Sequence, residues 1–329
     1  MSQPNSVEPS SKRKRTDEVN DTKPGDMDTK VVRSTIWFSD GSIVLEAEET
    51  QFRVHKSVLS RNSSFFNAMF STALQETRPR IEGCEVVRFD DAAEDWETVL
   101  EIVYDNVRAY KPTNAASLSR LWSMLRFGRK YEFEDLYKEA KERLKHCLPN
   151  SLDSWDKKYK ELGPWLPYHP FDFANLLVEF GIKSLLPVAY YICLADHSLE
   201  NIFRGAIAED GTLIELMSAA KEALVFGREA FWQTISQTVK WTSSDNDGCL
   251  HPKICKAHRA LFLPEIVQNW GRVMLTSPAS WQNMYRPNSP SCTSCATMTR
   301  DQIQATRKEM WNILPTCFGL PAWDDLTDD

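Results

Sequence analysis

The chain has 329 residues, enough for two domains of ordinary size, and 42% hydrophobic residues with eleven Trp, enough large apolar side chains to build a core. Its formal net charge is −7, from 46 acidic and 39 basic residues, which argues against the basic face of a general nucleic-acid binder. No apolar run approaches the roughly 20 residues that span a bilayer, and the polar N-terminus lacks a signal-peptide core. No direct nucleic-acid or membrane partner is therefore expected, and the nucleus or cytoplasm is the expected location. In such a compartment the eight Cys are reduced thiols or metal ligands.

Residues 1–32 are polar and predict a disordered arm. Within it, Lys12, Arg13, Lys14 and Arg15 place four adjacent cations on a flexible segment, a candidate nuclear-import signal. From Thr35 the composition changes. Ile36-Trp37-Phe38 opens a strand, and Asp40-Gly41 marks a turn. Ile43, Leu45 and Ala47 alternate in a second strand, and Thr50–Val54 forms a third. Three short strands in succession predict a meander.

At His55 the period changes. Phe52 and Val54 point one way and Gln51 and Arg53 the other. Val58 and Leu59 then make one apolar turn, Ser63 stands at an N-cap position, and Phe66, Met69 and Phe70 recur at helical spacing. A strand running into two short helices, the second carrying bulky apolar groups, needs a sheet to lie on. A polar loop at 75–83 and a strand over Cys84–Phe89 follow. Three amphipathic helices come next, carried by Trp96 to Val107, by Leu118 to Leu125 with Gly128 breaking the run, and by Phe133 to Leu144 before Pro149.

His55-Lys56, Val58-Leu59, Ser63, Phe66 and Met69-Phe70 together resemble the core signature of the BTB/POZ domain. The resemblance covers residues 33–148 and implies an α+β fold, a small mixed sheet flanked by helices. The whole layout resembles fungal BTB proteins with a helical C-terminal extension. It further implies a charged pocket at a homodimer interface, with Asp40 and Lys56 at its positions. The helix that usually precedes the first strand of such dimers has no counterpart in the short polar segment before Thr35. His55 stands without a Ser or Cys nucleophile in a recognisable arrangement and reads as structural. In BTB adaptors of cullin ubiquitin ligases, the loop after the Met-Phe helix carries an apolar residue, any residue, then Glu. Leu74-Gln75-Glu76 matches that spacing, so the resemblance implies a cullin contact through Leu74, supported by Glu76.

Residues 149–173 hold four Pro and six aromatics, and predict a domain junction that packs against its surroundings. Residues 174–329 predict a mostly helical domain. Leu213, Leu216, Met217, Ala220 and Leu224 line one helix face and Phe231, Ile235 and Val239 another, and Ile303 to Leu314 gives a last helix ended by Pro315.

In this half, Cys292-x-x-Cys295 has the bite of a metal knuckle, and Cys249 and Cys255 lie on a Gly- and Asp-rich loop, with His251 and His258 as alternative ligands. The four cysteines are candidate ligands of a structural zinc. The gap between the pairs exceeds that of a zinc ribbon, and buried or surface thiols would also fit. Cys84, Cys147, Cys193 and Cys317 are scattered. No phosphate-binding Gly loop, nucleophile elbow or paired-carboxylate motif is present, so an enzyme reading has no residues to rest on, and no cofactor besides the candidate zinc is expected. The sequence points to a protein-interaction module with two function classes open. One is a cullin-ligase substrate adaptor; the other is a nuclear regulator or scaffold without ubiquitin transfer.

Overall fold

The structure is a computed structural model and describes residues 31–72, 79–105, 118–162, 168–273, 275 and 291–328. Strands β1 (Val32–Trp37), β2 (Ile43–Ala47), β3 (Thr50–Val54), β4 (Arg80–Ile81) and β5 (Cys84–Phe89) form one mixed sheet in the order β1-β3-β2-β5-β4. The three-strand meander expected from the sequence is thus not formed. β2 and β3 make an antiparallel hairpin, but β1 skips β2 and lies parallel to β3. The reason lies in the burial pattern. β2 is apolar on both faces, with Ile43, Val44, Leu45 and Ala47 all fully buried, so it takes an interior place between β3 and β5. β1 keeps one side in water and occupies an edge. The segment read as a polar loop also hides β4, which pairs with β5 through a two-residue turn at Glu82-Gly83.

Helices α1 (Lys56–Asn62) and α2 (Ser64–Ser71) follow β3 directly. The Ser63 hydroxyl accepts from the Phe66 amide and donates to the Tyr131 carbonyl, so one side chain caps α2 and ties it to the third layer. Phe66 is fully buried among Phe89, Trp96, Tyr131 and Phe133. Helices α3 (Ala93–Asp105), α4 (Leu118–Lys130) and α5 (Glu134–Cys147) complete this part. Gly128 does not break α4, which continues through it to Lys130. A Cβ on Gly128 would stand 2.7 Å from Tyr137 Cβ, so the glycine lets α4 and α5 approach closely.

The Pro- and aromatic-rich stretch contains α6 (Leu152–Leu162) and the start of α7 (Pro170–Glu179), and buries Trp155. Beyond it, α8 (Leu186–Asp196) is buried on all sides from Leu186 to Leu194, the mark of a central helix. After α9 (Leu199–Arg204), a small hairpin of β6 (Ala206–Ile207) and β7 (Leu213–Ile214) precedes α10 (Ser218–Thr238). Two sequence expectations fail here. Leu213 belongs to the hairpin and Leu216 and Met217 precede α10, which carries Ala220 and Leu224 together with Phe231 and Ile235 on one helix. Helices α11 (Pro252–Ala260), α12 (Phe262–Val273) and α13 (Thr293–Cys317) follow, with α7, α10, α12 and α13 packed against α8. Helix α13 starts ten residues before Ile303 and runs past Pro315 to Cys317. Among the described residues, no helix is long and apolar enough to cross a membrane.

Candidate functional site

The first candidate surface lies where β3 meets α1. His55 is held on both ring nitrogens: Nδ1 lies 2.9 Å from the Tyr104 hydroxyl and Nε2 lies 3.2 Å from Asp40 Oδ1. The His55 amide donates to the same hydroxyl at 2.8 Å, and Phe38 stacks on the Tyr104 ring. The Asp40 carboxyl is held below the usual carboxylate range, first by its hydrogen bond with His55. Burial pushes the Tyr104 phenol up. Lys56 pairs with Glu85 at 3.0 Å and its amide donates to Ser42 Oγ. Asp40, in the turn before β2, and Lys56, next to His55 in the chain, thus engage different partners, His55 and Glu85. Asp40 is largely exposed, with 82% of its side chain in water. Leu74, Glu76, Lys12, Arg13, Lys14 and Arg15 lie outside the described residues.

The second candidate site gathers residues from three segments. Cys249 follows a turn in which its amide donates to the Asn246 carbonyl at 2.9 Å. A Cβ on Gly248 would meet Ser294 Oγ at 2.8 Å, so a larger residue would push this turn away from the start of α13. Cys255 closes the first turn of α11, Cys292 is the N-cap of α13, and Cys295 lies in that helix's first turn. The four sulfurs all lie within 4.8 Å of one another. Around a zinc ion with bonds near 2.3 Å, tetrahedral sulfurs stand about 3.8 Å apart, and the Cys249 and Cys292 sulfurs are already at 3.9 Å. The thiols are not joined as disulfides. His258 instead contacts Ser291 Oγ through Nδ1 at 3.1 Å, and neither His251 nor His258 belongs to the group.

Cys255 and Cys295 are fully buried, yet neither belongs to the contiguous apolar core. Helix α11 buries Cys255 and Arg259 while its Ile254 is exposed, the reverse of an amphipathic helix docked by its apolar stripe. This helix is organised around the cysteines. Their sulfurs face N–H groups. Cys295 Sγ accepts from Arg259 Nη1 at 3.1 Å and from Asn246 Nδ2 at 3.4 Å, and Cys255 Sγ accepts from the Cys292 amide at 3.3 Å. The amides of Cys295 and Leu250, with the former the stronger influence, draw the Cys292 thiol down to about 6. Loss of solvent pushes Cys249 up to about 12. Together the four side chains form an all-sulfur donor set. Such a donor set suits a soft or borderline divalent ion.

Sequence reasoning identified the four cysteines and missed Arg259 and Asn246. The signal for Arg259 was its place four residues after Cys255, on the same face of α11. Asn246 carries no such signal, because its contact with Cys295 depends on how the turn is placed.

The BTB/POZ domain family model matches residues 32–148. That match, with the sheet and its α1–α2 pair, supports a BTB domain over this part of the chain, and BTB domains are protein–protein interaction modules. No curated protein matches the chain.

Proposed function

We propose that this BTB-domain protein is a substrate adaptor for a cullin-type ubiquitin ligase, in which the BTB domain holds the cullin and the helical region holds the substrate. The observation that carries the proposal is the α1–α2 pair, tied by Ser63 to the Tyr131 carbonyl after α4 and packed by Phe66 against Phe89 of β5, with Met69 and Phe70 half-buried at its end. Leu74-Gln75-Glu76 follows within six residues in the chain, at the spacing of cullin-binding adaptors. The helical region adds a mostly apolar groove lined by Leu199, Val225, Phe226, Trp232 and Val267 together with Arg228 and Glu229, where Phe226 is 62% exposed. An exposed apolar groove of this kind suits a protein ligand. A zinc ion bound by the four cysteines would hold the corner of this region that α11 and the start of α13 form.

Calorimetry of full-length protein with a cullin N-terminal region tests the reading. Binding at tens of micromolar or tighter supports it, and Leu74→Asp should abolish that binding with thermal unfolding unchanged. An apolar anchor of this type is worth about 2 kcal/mol or more, roughly thirtyfold in affinity. Absence of wild-type binding refutes the adaptor reading and favours a nuclear scaffold, for which Lys12–Arg15 is the supporting feature. In that case replacing Lys12–Arg15 by Ala should move a fluorescent fusion from nucleus to cytoplasm.

A further inference from the structure

The cysteine corner also contains a buried cation. Arg259 is 1% exposed. Its Nη1 donates to Cys295 Sγ at 3.1 Å, its Nη2 donates to the Ser244 carbonyl, and its Nε has no partner among the described residues. Among the described residues, its partners are therefore one sulfur and one carbonyl, and no carboxylate pairs with it.

A guanidinium removed from water costs several kcal/mol unless an anion faces it. A neutral thiol is a weak acceptor and offers little compensation. The sulfur that Arg259 touches is that of Cys295, and a neutral thiol there would leave the guanidinium with no anion in contact with it. Four thiolates around one divalent ion carry an excess of two negative charges, and the guanidinium offsets one of them. The burial of Arg259 and the gathering of four sulfurs are two observations with one physical explanation.

Resting on the zinc reading, we infer that Arg259 is part of the metal site, a positioning residue that supplies counter-charge to Cys295 and so stabilises a buried tetrathiolate complex of zinc. All four coordination positions are taken by sulfur, which leaves none for water or substrate, so the site is structural. The Asn246 amide and the Cys292 backbone N–H complete the outer shell on Cys295 and Cys255.

The test uses full-length protein stripped of metal, titrated with Co(II) as a probe and then competed with zinc to obtain the zinc affinity. A wild-type cobalt complex should show the sulfur-to-metal charge-transfer band and the tetrahedral d–d envelope. Arg259→Gln removes the charge and should weaken zinc by about 10–100-fold, as outer-shell changes do, whereas Arg259→Lys keeps the charge and should stay within about fivefold of wild type. Lys256→Gln is the control, a nearby cation paired with Asp245 at the surface, and should change nothing. Wild-type affinity in Arg259→Gln overturns the role of Arg259 while leaving the zinc reading intact. Absence of a cobalt–thiolate band in wild-type protein overturns both. Should Arg259→Gln not fold even with zinc, Arg259→Lys decides: affinity near wild type upholds the counter-charge, and a loss of about 10–100-fold overturns it.

Discussion

The indole N–H of Trp323 donates to the carbonyl oxygen of Trp311 at 2.8 Å, and the two rings stack with centroids 5.3 Å apart. In an uninterrupted helix that carbonyl would accept from the amide four residues on. The residue there is Pro315, which has no N–H to give. The tail after α13 folds back and supplies the missing donor, and this explains how the helix continues past its proline. Trp323→Phe keeps a ring for stacking and removes the donor, so it should cost about 1 kcal/mol in urea unfolding. In a Pro315→Ala background, where a backbone amide is restored, the same change should cost less. Equal costs in the two backgrounds would show that the indole is not replacing a helical hydrogen bond.

Gly128→Ala separates two opposing effects. On an isolated helix the change would stabilise by about 1 kcal/mol through propensity. Here the new Cβ would lie 2.7 Å from Tyr137 Cβ and 3.0 Å from its Cα, so α4 and α5 must move apart. We expect a net loss of about 1–3 kcal/mol, as for overpacked cores. A rise in the urea midpoint would contradict the close helix contact.

Acid should weaken the fold through two imidazoles. His197 packs on Phe171 with ring centroids 4.4 Å apart, and on His169 at 5.3 Å. Burial lowers His197 from 6.5 to about 4 and lowers His169 in the same direction. Above 6.5 both rings are neutral in the folded and unfolded chain, and their contribution to stability is fully present. Between 6.5 and about 4 the unfolded chain binds protons that the folded chain refuses, so stability falls as pH falls through that window. The urea midpoint should drop more steeply over this range in wild-type protein than in His197→Asn. The difference between the two isolates His197 from acid effects elsewhere, and parallel curves would refute the assignment.

The parts of this fold that could be read in the sequence are those set by neighbours along the chain. Ser63 as a cap three residues before Phe66, the two short helices after His55, and the run from Trp96 to Val103 follow from local spacing. Strand order is a different matter. Whether β1 pairs with β2 or with β3 depends on which strand can be buried on both faces, and that becomes visible only once β5 has been placed beside β2. Gly128 looked like a helix breaker because its purpose, the approach of Tyr137, lies on another helix. The four cysteines were legible as a candidate ligand set, but the 36 residues between Cys255 and Cys292 left open how they meet, which is by α11 and the start of α13 lying side by side. Arg259 was hidden because a cation on an apparently polar helix normally points to water, and here the face carrying Cys255 is turned inward.

The most direct measurement is zinc K-edge absorption on purified full-length protein, with metal content determined on the same sample. A tetrathiolate site requires about one zinc per chain, coordinated by four sulfurs near 2.3 Å with no nitrogen or oxygen bound to the metal. Protein that carries no zinc, or a zinc ion bound by two sulfurs and lighter atoms, would contradict it.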